Sequence, residues 1–199
     1  MAPSALPDEP QMYATTVSEM ARDRRFYPSH KFVTSCGTVA VDLDAQRVLL
    51  VYNKRHRIHQ LPKGRKNIGE DLLAAALRET REETGVAVSP LRLRIRTRAT
   101  PADAPSDAAP DITEETDSTE PVAVCHYPDP ASGAMKMVFY FVAEGSCRNA
   151  PDGWTGEDKV KFEVVWVDAA DAAGKLAFKE DGMVVTKALE DLRVSGYDI

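Results

Sequence analysis

Apolar and polar positions alternate along much of this chain, in short runs bounded by turn-forming residues. Residues 31–43, KFVTSCGTVAVDL, and 47–53, RVLLVYN, are rich in β-branched side chains and read as two strands, with Asp44-Ala45-Gln46 as the hairpin turn between them. Residues 92–98 alternate arginine with Leu93, Ile95 and Thr97, the pattern of a half-exposed strand. Residues 122–127 and 135–143 read as strands joined by the turn 128–133, and Met135, Met137, Phe139, Tyr140 and Phe141 are core candidates. Residues 162–167 make the last strand. The period changes to that of a helix over about 70–84, where Leu73, Ala76, Leu77 and Thr80 recur at i, i+3, i+4 and i+7 and Gly85 is placed as a stop. Helical patterns return after Asp168 and over 183–192. Strands on both sides of a central helix, with further helix at the C-terminal end, predict a sheet covered on both faces: an α/β/α sandwich.

Two stretches fall outside this pattern. Residues 1–28 read as an N-terminal arm, because Pro3, Pro7 and Pro10 break early structure and a short helix over 16–25 must end before Tyr27-Pro28. Residues 99–121 are built largely from Ala, Pro, Asp, Glu, Ser and Thr, with no lysine or arginine, and read as an acidic, mobile inserted loop. A lid or partner contact is the functional alternative there. The remaining 29–199 form one domain.

Composition narrows the function. A chain of 199 residues with 43% apolar content can bury one sizeable core. A net charge of -6 argues against stable nucleic-acid binding. Cys36, Cys125 and Cys147 are odd in number and not clustered, so they suggest neither disulfides nor a zinc site, and point to a reducing compartment: cytoplasmic, with nuclear residence also open. No apolar run reaches membrane-spanning length, and the proline-rich, acidic first 11 residues do not read as a signal peptide. The oligomeric state stays open.

The candidate chemistry lies in residues 63–86. A basic, glycine-containing loop, KGRKNIG, leads into the helix, on which Glu79, Glu82 and Glu83 share a face. Converging carboxylates repel one another and their pKa values rise, unless a cation is present; hard divalent ions prefer such oxygen ligands. The helix alone also reads as a solvated face with pairs such as Arg78 and Glu82. What decides against that reading is the register: Gly64, five residues, Glu70, seven residues, then Arg78-Glu79-Thr80-Arg81-Glu82-Glu83-Thr84-Gly85-Val86.

That spacing resembles the Nudix box. Thr80 departs from it, standing where the family mostly has an aliphatic residue, and its methyl is expected to pack on the apolar face. The resemblance implies a mixed sheet with the box as a loop–helix–loop beside it. It implies Mg2+ (or Mn2+) held by Glu79, Glu82, Glu83 and the Gly64 carbonyl, Arg78 orienting the carboxylates, and Glu70 acting from behind them. The general base varies in the family; Glu79 is favoured, with Glu157, in the loop before the last strand, as runner-up.

The implied activity is cleavage of a diphosphate linkage in a small-molecule polyphosphate. Residues 69–72 and 76–80, with Leu176-Ala177-Phe178-Lys179-Glu180, resemble the diadenosine polyphosphate hydrolases, whose activities overlap with those of diphosphoinositol polyphosphate hydrolases. Lys54, Arg55, Arg57, Lys63, Arg65 and Lys66 crowd a short stretch of an acidic chain, with His56 and His59 among them. Arg55, Arg57, His59, Lys63, Arg65, Lys66 and Lys179 are the substrate-binding candidates, and a solvated hairpin tip is the alternative. Trp154 is a candidate for stacking on a base, against an ordinary core role. Decapping of messenger RNA, hydrolysis of nucleotide sugars, and a catalytically silent Nudix-fold binding module are the other readings.

Overall fold

The computed structural model describes residues 24–100, 112–149, 152 and 156–199, the side chain of Glu157 excepted. Its centre is β1 (Phe32–Asp42), which turns at Asp42–Arg47 into β2 (Arg47–Asn53). Then come β3 (Ile58–Gln60), β4 (Lys63–Arg65), helix α1 (Leu72–Thr84), β5 (Ser89–Pro90), β6 (Leu93–Thr97), β7 (Thr113–Ser118), β8 (Ala123–Pro128) and β9 (Met135–Glu144). The chain closes with α2 (Gly156–Lys161), β10 (Phe162–Asp168), α3 (Ala169–Lys175) and α4 (Lys179–Val194).

Among the described residues, eight strands form one mixed sheet along β10-β2-β1-β9-β5, with β3 on β2, β4 on β1 and β8 on β9. β1 runs parallel to β9 from Phe32 to Val41 and antiparallel to β2 and β4. Strand pleating sends alternate residues of β1 to opposite faces. Cys36 meets Ala75 and Ala76 of α1 with Phe141, while Val39 and Val41 meet the apolar side of α4 through Val184, Val185 and Leu189. The expected α/β/α sandwich is therefore the architecture.

Several expected boundaries move. α1 begins at Leu72, because Asp71 caps it by accepting from the amides of Leu73 and Ala74 at 2.9 and 3.1 Å. Glu70 is thereby left outside the helix. The buried row of α1 is Ala75, Ala76, Thr80, Glu83 and Thr84, and Leu73 and Leu77 are only half-buried. Met135 and Met137 are likewise half-buried, whereas Tyr140 and Phe141 lie in the core. The basic loop contains a strand, β4, and the turn before it contains β3.

The expected inserted loop falls partly on residues 101–111, outside the described residues, but 113–118 within it form β7, paired antiparallel with β6. β6 has the expected half-exposed pattern, with Leu93 and Ile95 buried and Arg94 and Arg96 exposed. Of the expected N-terminal arm, 1–23 lie outside the described residues, and Arg24 and Arg25 are irregular rather than helical. No described helix is long and apolar enough to cross a membrane.

β4 can approach β1 because Gly37 has no side chain: a Cβ there would lie 2.4 Å from the Pro62 carbonyl oxygen and 3.2 Å from Lys63 Cα. Both obstacles are backbone, which cannot swing aside as a side chain end can. Gly37→Ala is expected to cost about 2–3 kcal/mol by urea denaturation, through separation of β4 from β1. A variant as stable as the parent would show that the two strands have slack.

Candidate active site

The loop–helix junction is held by one guanidinium. Arg78 donates through Nε and Nη2 to the two oxygens of Glu70, at 2.7 and 3.0 Å. Its Nη1 donates to Glu79 Oε1 at 2.8 Å and to Glu82 Oε2 at 2.9 Å. Nη2 also donates to the Arg65 carbonyl at 2.9 Å. Arginine has five N–H donors in a rigid fork, so this accounts for all of them. The network joins β4, the loop and one face of α1. Glu70 accepts in addition from the Asn67 amide at 2.8 Å, which closes the loop behind Arg78.

Glu83 belongs to a different contact. It is buried, and its Oε2 accepts from the Lys63 amide at 2.9 Å. Glu79 passes close to β4: a Cβ on Gly64 would lie 1.8 Å from Glu79 Oε2. Glycine at 64 is what lets the carboxylate reach the backbone, since its neighbour Arg78 holds the other oxygen in place. Glu79, Glu82 and Glu83 thus each spend one oxygen on the protein, and the second accepts no hydrogen bond among the described residues.

Thr80 behaves differently from expectation. It is fully buried, and its hydroxyl is satisfied: it donates to the Ala76 carbonyl at 2.8 Å and lies 2.8 Å from Thr38 Oγ1 on β1. A hydroxyl pair, rather than methyl packing alone, ties α1 to the sheet here. Thr84 repeats the pattern one turn on, donating to the Thr80 carbonyl at 2.5 Å and accepting from the Val86 amide at 3.0 Å. Gly85 ends the helix at φ 69°, as a left-handed cap.

The carboxylates differ in electrostatics. Burial pushes the Glu83 carboxyl up to about 7, and also raises Glu79. The Arg78 hydrogen bonds hold Glu70 down at about 2. These shifts give stability opposite slopes with pH. A group raised in the fold, like Glu83, contributes stability that is complete below its ordinary 4.5 and is lost as pH climbs through about 7. A group lowered in the fold, like Glu70, contributes above 4.5 and is lost as pH falls toward about 2. Metal-free protein should therefore melt highest near pH 5 and lower at pH 8, as thermal denaturation across that range would show. A melting temperature still rising from pH 5 to 8 would contradict the burial of Glu83.

Of the predicted site residues, Gly64, Glu70, Arg78, Glu79, Glu82 and Glu83 are brought together, with the Arg65 carbonyl. Glu157 is on helix α2 rather than in a loop, and its side chain is outside the described residues, as is Trp154. Its neighbour Asp158 is the carboxylate in view: its side chain is 19% exposed, it lies 3.7 Å from Lys161 Nζ, and its charge helps raise Glu83.

The basic candidates scatter. Arg55 and Arg57 sit on the exposed tip between β2 and β3, where Asn53 Oδ1 accepts from the Arg55 and His56 amides and Arg57 takes a φ of 57°. His59 packs its ring against Tyr52 at 5.0 Å, and its carbonyl accepts from Ala177. Lys179 is exposed at the start of α4. None of these four has a hydrogen bond or ion pair to the box carboxylates among the described residues. Lys66 donates to the neighbouring Asn67 carbonyl, and Arg65 reaches Asp129 at 3.3 Å. Lys63 lies near enough to Glu83 to lower its pKa against the effect of burial.

Sequence reading missed Lys136, Asp129 and Asp158. Lys136 is the one cation inside the apolar strand MKMVFYFVAE, which is the signal it offered.

Comparison with known proteins agrees with this geometry. The NUDIX domain family matches residues 33–186. An Ap4A hydrolase from C. elegans, in a binary complex, superposes with a TM-score of 0.56 at 20% identity, over 81% of this chain and 98% of that one. A second structure of the C. elegans Ap4A hydrolase gives 0.52 at 22% identity, over 81% and 98%. A NUDIX hydrolase from Nitrosomonas europaea gives 0.52 at 16% identity, over 84% and 92%. At these identities the likeness is one of fold. No curated protein matches significantly.

Proposed function

The chain belongs to the Nudix family and is a hydrolase of that family; from this premise we propose that it cleaves a diphosphate linkage in a highly phosphorylated small molecule, a diphosphoinositol polyphosphate or a diadenosine polyphosphate. The observation that carries the chemistry is the Arg78 hub, which holds Glu79 and Glu82 by one oxygen each while Lys63 holds Glu83.

Among the described residues no three acidic, imidazole or thiol groups stand in ready coordinating positions. The donor chemistry nonetheless fits a hard divalent ion. Each of the three carboxylates has an oxygen to offer, and the bare Gly64 backbone leaves room beside Glu79. Glu79, Glu82, Glu83 and the Gly64 carbonyl would hold Mg2+ or Mn2+. When bound, such an ion polarises a phosphoryl oxygen and makes water a better nucleophile.

The chain's own groups do the rest. Arg78 fixes the orientation of Glu79 and Glu82 and is itself fixed by Glu70, so the carboxylates need little reorganisation. Glu79 is the assigned general base: its burial raises its affinity for a proton, which suits a group that must take one. Glu157 remains the runner-up, and Asp158 joins it on the strength of its position near Glu83. Lys63, Arg65 and Lys66 flank Gly64 and are assigned to the phosphates that are not cleaved. The fold likeness to Ap4A hydrolases accords with a diadenosine polyphosphate substrate, and the cation density accords with either class.

A substrate panel with Mg2+ tests the assignment: diphosphoinositol polyphosphates, diadenosine polyphosphates, capped RNA and ADP-ribose. The expected result is release of phosphate or mononucleotide from one of the first two, at kcat/KM well above that on ADP-ribose. Efficient turnover of capped RNA or ADP-ribose instead would replace the substrate class. Tight binding with no turnover of any would replace the enzyme with a binding module.

A further inference from the structure

Glu83 is placed from two sides, and both trace back to one residue of β1. Thr38 is fully buried. Its amide donates at 3.3 Å to the carbonyl of Pro62, the residue before Lys63, whose own amide donates to Glu83 at 2.9 Å. Its hydroxyl lies 2.8 Å from that of Thr80 on α1, one position after Glu79 and one turn before Glu83. Thr38 therefore holds β4 through its backbone and α1 through its side chain. The contact between Lys63 and Glu83 closes the ring that these two bonds begin.

Proton counting gives the direction of the hydroxyl bond. Each hydroxyl has one proton to donate. That of Thr80 goes to the Ala76 carbonyl at 2.8 Å, so the proton between the two threonines comes from Thr38. The Thr80 carbonyl accepts in turn from the Thr84 hydroxyl, whose oxygen accepts from the Val86 amide beyond the helix end. A continuous run of hydrogen bonds thus leads from the sheet along the turn of α1 that carries Glu79 and Glu83.

Burial alone does not call for hydroxyls here. Cys36, Ala75 and Ala76 beside the pair are apolar, and valine at both positions would fill the same space with no polar atom to satisfy. What an aliphatic pair lacks is direction. Apolar contacts allow a helix to slide or roll slightly on a sheet, whereas a hydrogen bond fails outside a narrow range of distance and angle. A site whose ligands come from two elements needs them held within about 0.5 Å. Glu83 is on α1 and its Lys63 partner is on β4, so the displacement that matters is that of α1 relative to β4. We propose that Thr38, through its bond to Thr80, is a positioning residue, which sets α1 against β4 and so readies Glu79 and Glu83 to hold a divalent ion. The role toward metal rests on the hydrolase reading; the placement of α1 does not.

The test compares the full chain with Thr38→Val, with the double variant Thr38→Val, Thr80→Val, and with Thr38→Ser. Thr38→Val leaves Thr80 bonded to Ala76, and the double variant leaves no hydroxyl on either side, so both should fold and melt close to the parent. Calorimetric titration with Mn2+ should nonetheless show about tenfold weaker binding in both. On a substrate that is turned over, kcat at saturating Mn2+ should fall more than KM rises. Thr38→Ser keeps the donor and should keep the Mn2+ affinity of the parent. In metal-free protein the Lys63 amide should exchange with solvent about tenfold faster in the double variant, while amides of β1 paired with β9 keep their parent rates.

Equal exchange at Lys63 in parent and double variant overturns the proposal, and so does equal Mn2+ affinity where the parent binds the ion. A Thr38→Ser protein that binds Mn2+ as weakly as Thr38→Val overturns it too, because packing rather than the hydroxyl would then be what counts. The two readings fail separately. A failed hydrolase reading leaves a parent with no turnover or no Mn2+ binding, and keeps the faster exchange at Lys63 in the double variant. A failed positioning role leaves turnover and Mn2+ affinity the same in all four proteins.

Discussion

Glu83→Gln is expected to lower turnover by roughly three orders of magnitude and at the same time to stabilise the metal-free protein above pH 7. The two effects share a cause. Glu83 is buried, and burial raises its pKa to about 7, so at higher pH the fold carries a carboxylate that it would hold more easily uncharged. Glutamine keeps the shape and keeps an oxygen to accept from the Lys63 amide, but not the charge that a divalent ion requires. The melting temperature of the variant should therefore lose the decline between pH 5 and 8 that the parent shows. Unchanged turnover at saturating Mg2+ in a folded Glu83→Gln protein would sink the metal assignment. A parallel fall in stability and turnover would reduce Glu83 to a structural residue.

The second large effect is expected at Arg78. Arg78→Met removes five hydrogen bonds at once and leaves Glu70 and Glu79, which are only 15% and 14% exposed, close together without their cation. Breaking such a cluster by removing one partner should cost about 3 kcal/mol in urea denaturation without metal. This is the low end of the usual range, since Arg78 itself is 26% exposed. Mg2+ should narrow the gap between variant and parent in a thermal melt, because it returns positive charge to the same carboxylates. Arg78→Lys should not restore turnover: an ammonium has no planar fork with which to hold Glu70 by two bonds and Glu79 and Glu82 by a third nitrogen. Full turnover in Arg78→Lys would show that charge alone suffices.

The parts of the fold legible in sequence are those where side-chain pattern and tertiary role agree. β2 is found at 47–53 as expected, because Val48, Leu49, Leu50 and Val51 are apolar and every one is buried. β7 was not legible, since TEETDS has the composition of a loop. Its pairing comes from the partner: Arg92 and Arg94 meet Asp117 and Glu114 at 2.8 and 3.3 Å, while Leu93 and Ile95 of β6 supply the burial. The box carboxylates and Arg78 were legible because their spacing follows one helix and the loop before it. Lys136 and Asp129 were not, because they reach the basic loop only through the register of β9 and β8 against β1, which no local pattern encodes. Nor was the hydroxyl pair of Thr38 and Thr80, which lie 42 positions apart.

β4 is three residues long and its pairing partner is β1. Yet it carries the Lys63 amide that holds Glu83, the Gly64 backbone beside Glu79 and the Arg65 carbonyl that Arg78 grips. A segment this short can detach at a smaller free energy than the whole domain needs to unfold. When it does, all three anchors leave together, while β1 keeps its pairing with β9 and the core stays packed. Activity is consequently expected to be the first property to fall under mild denaturant or gentle heating, while circular dichroism still reports the native secondary structure.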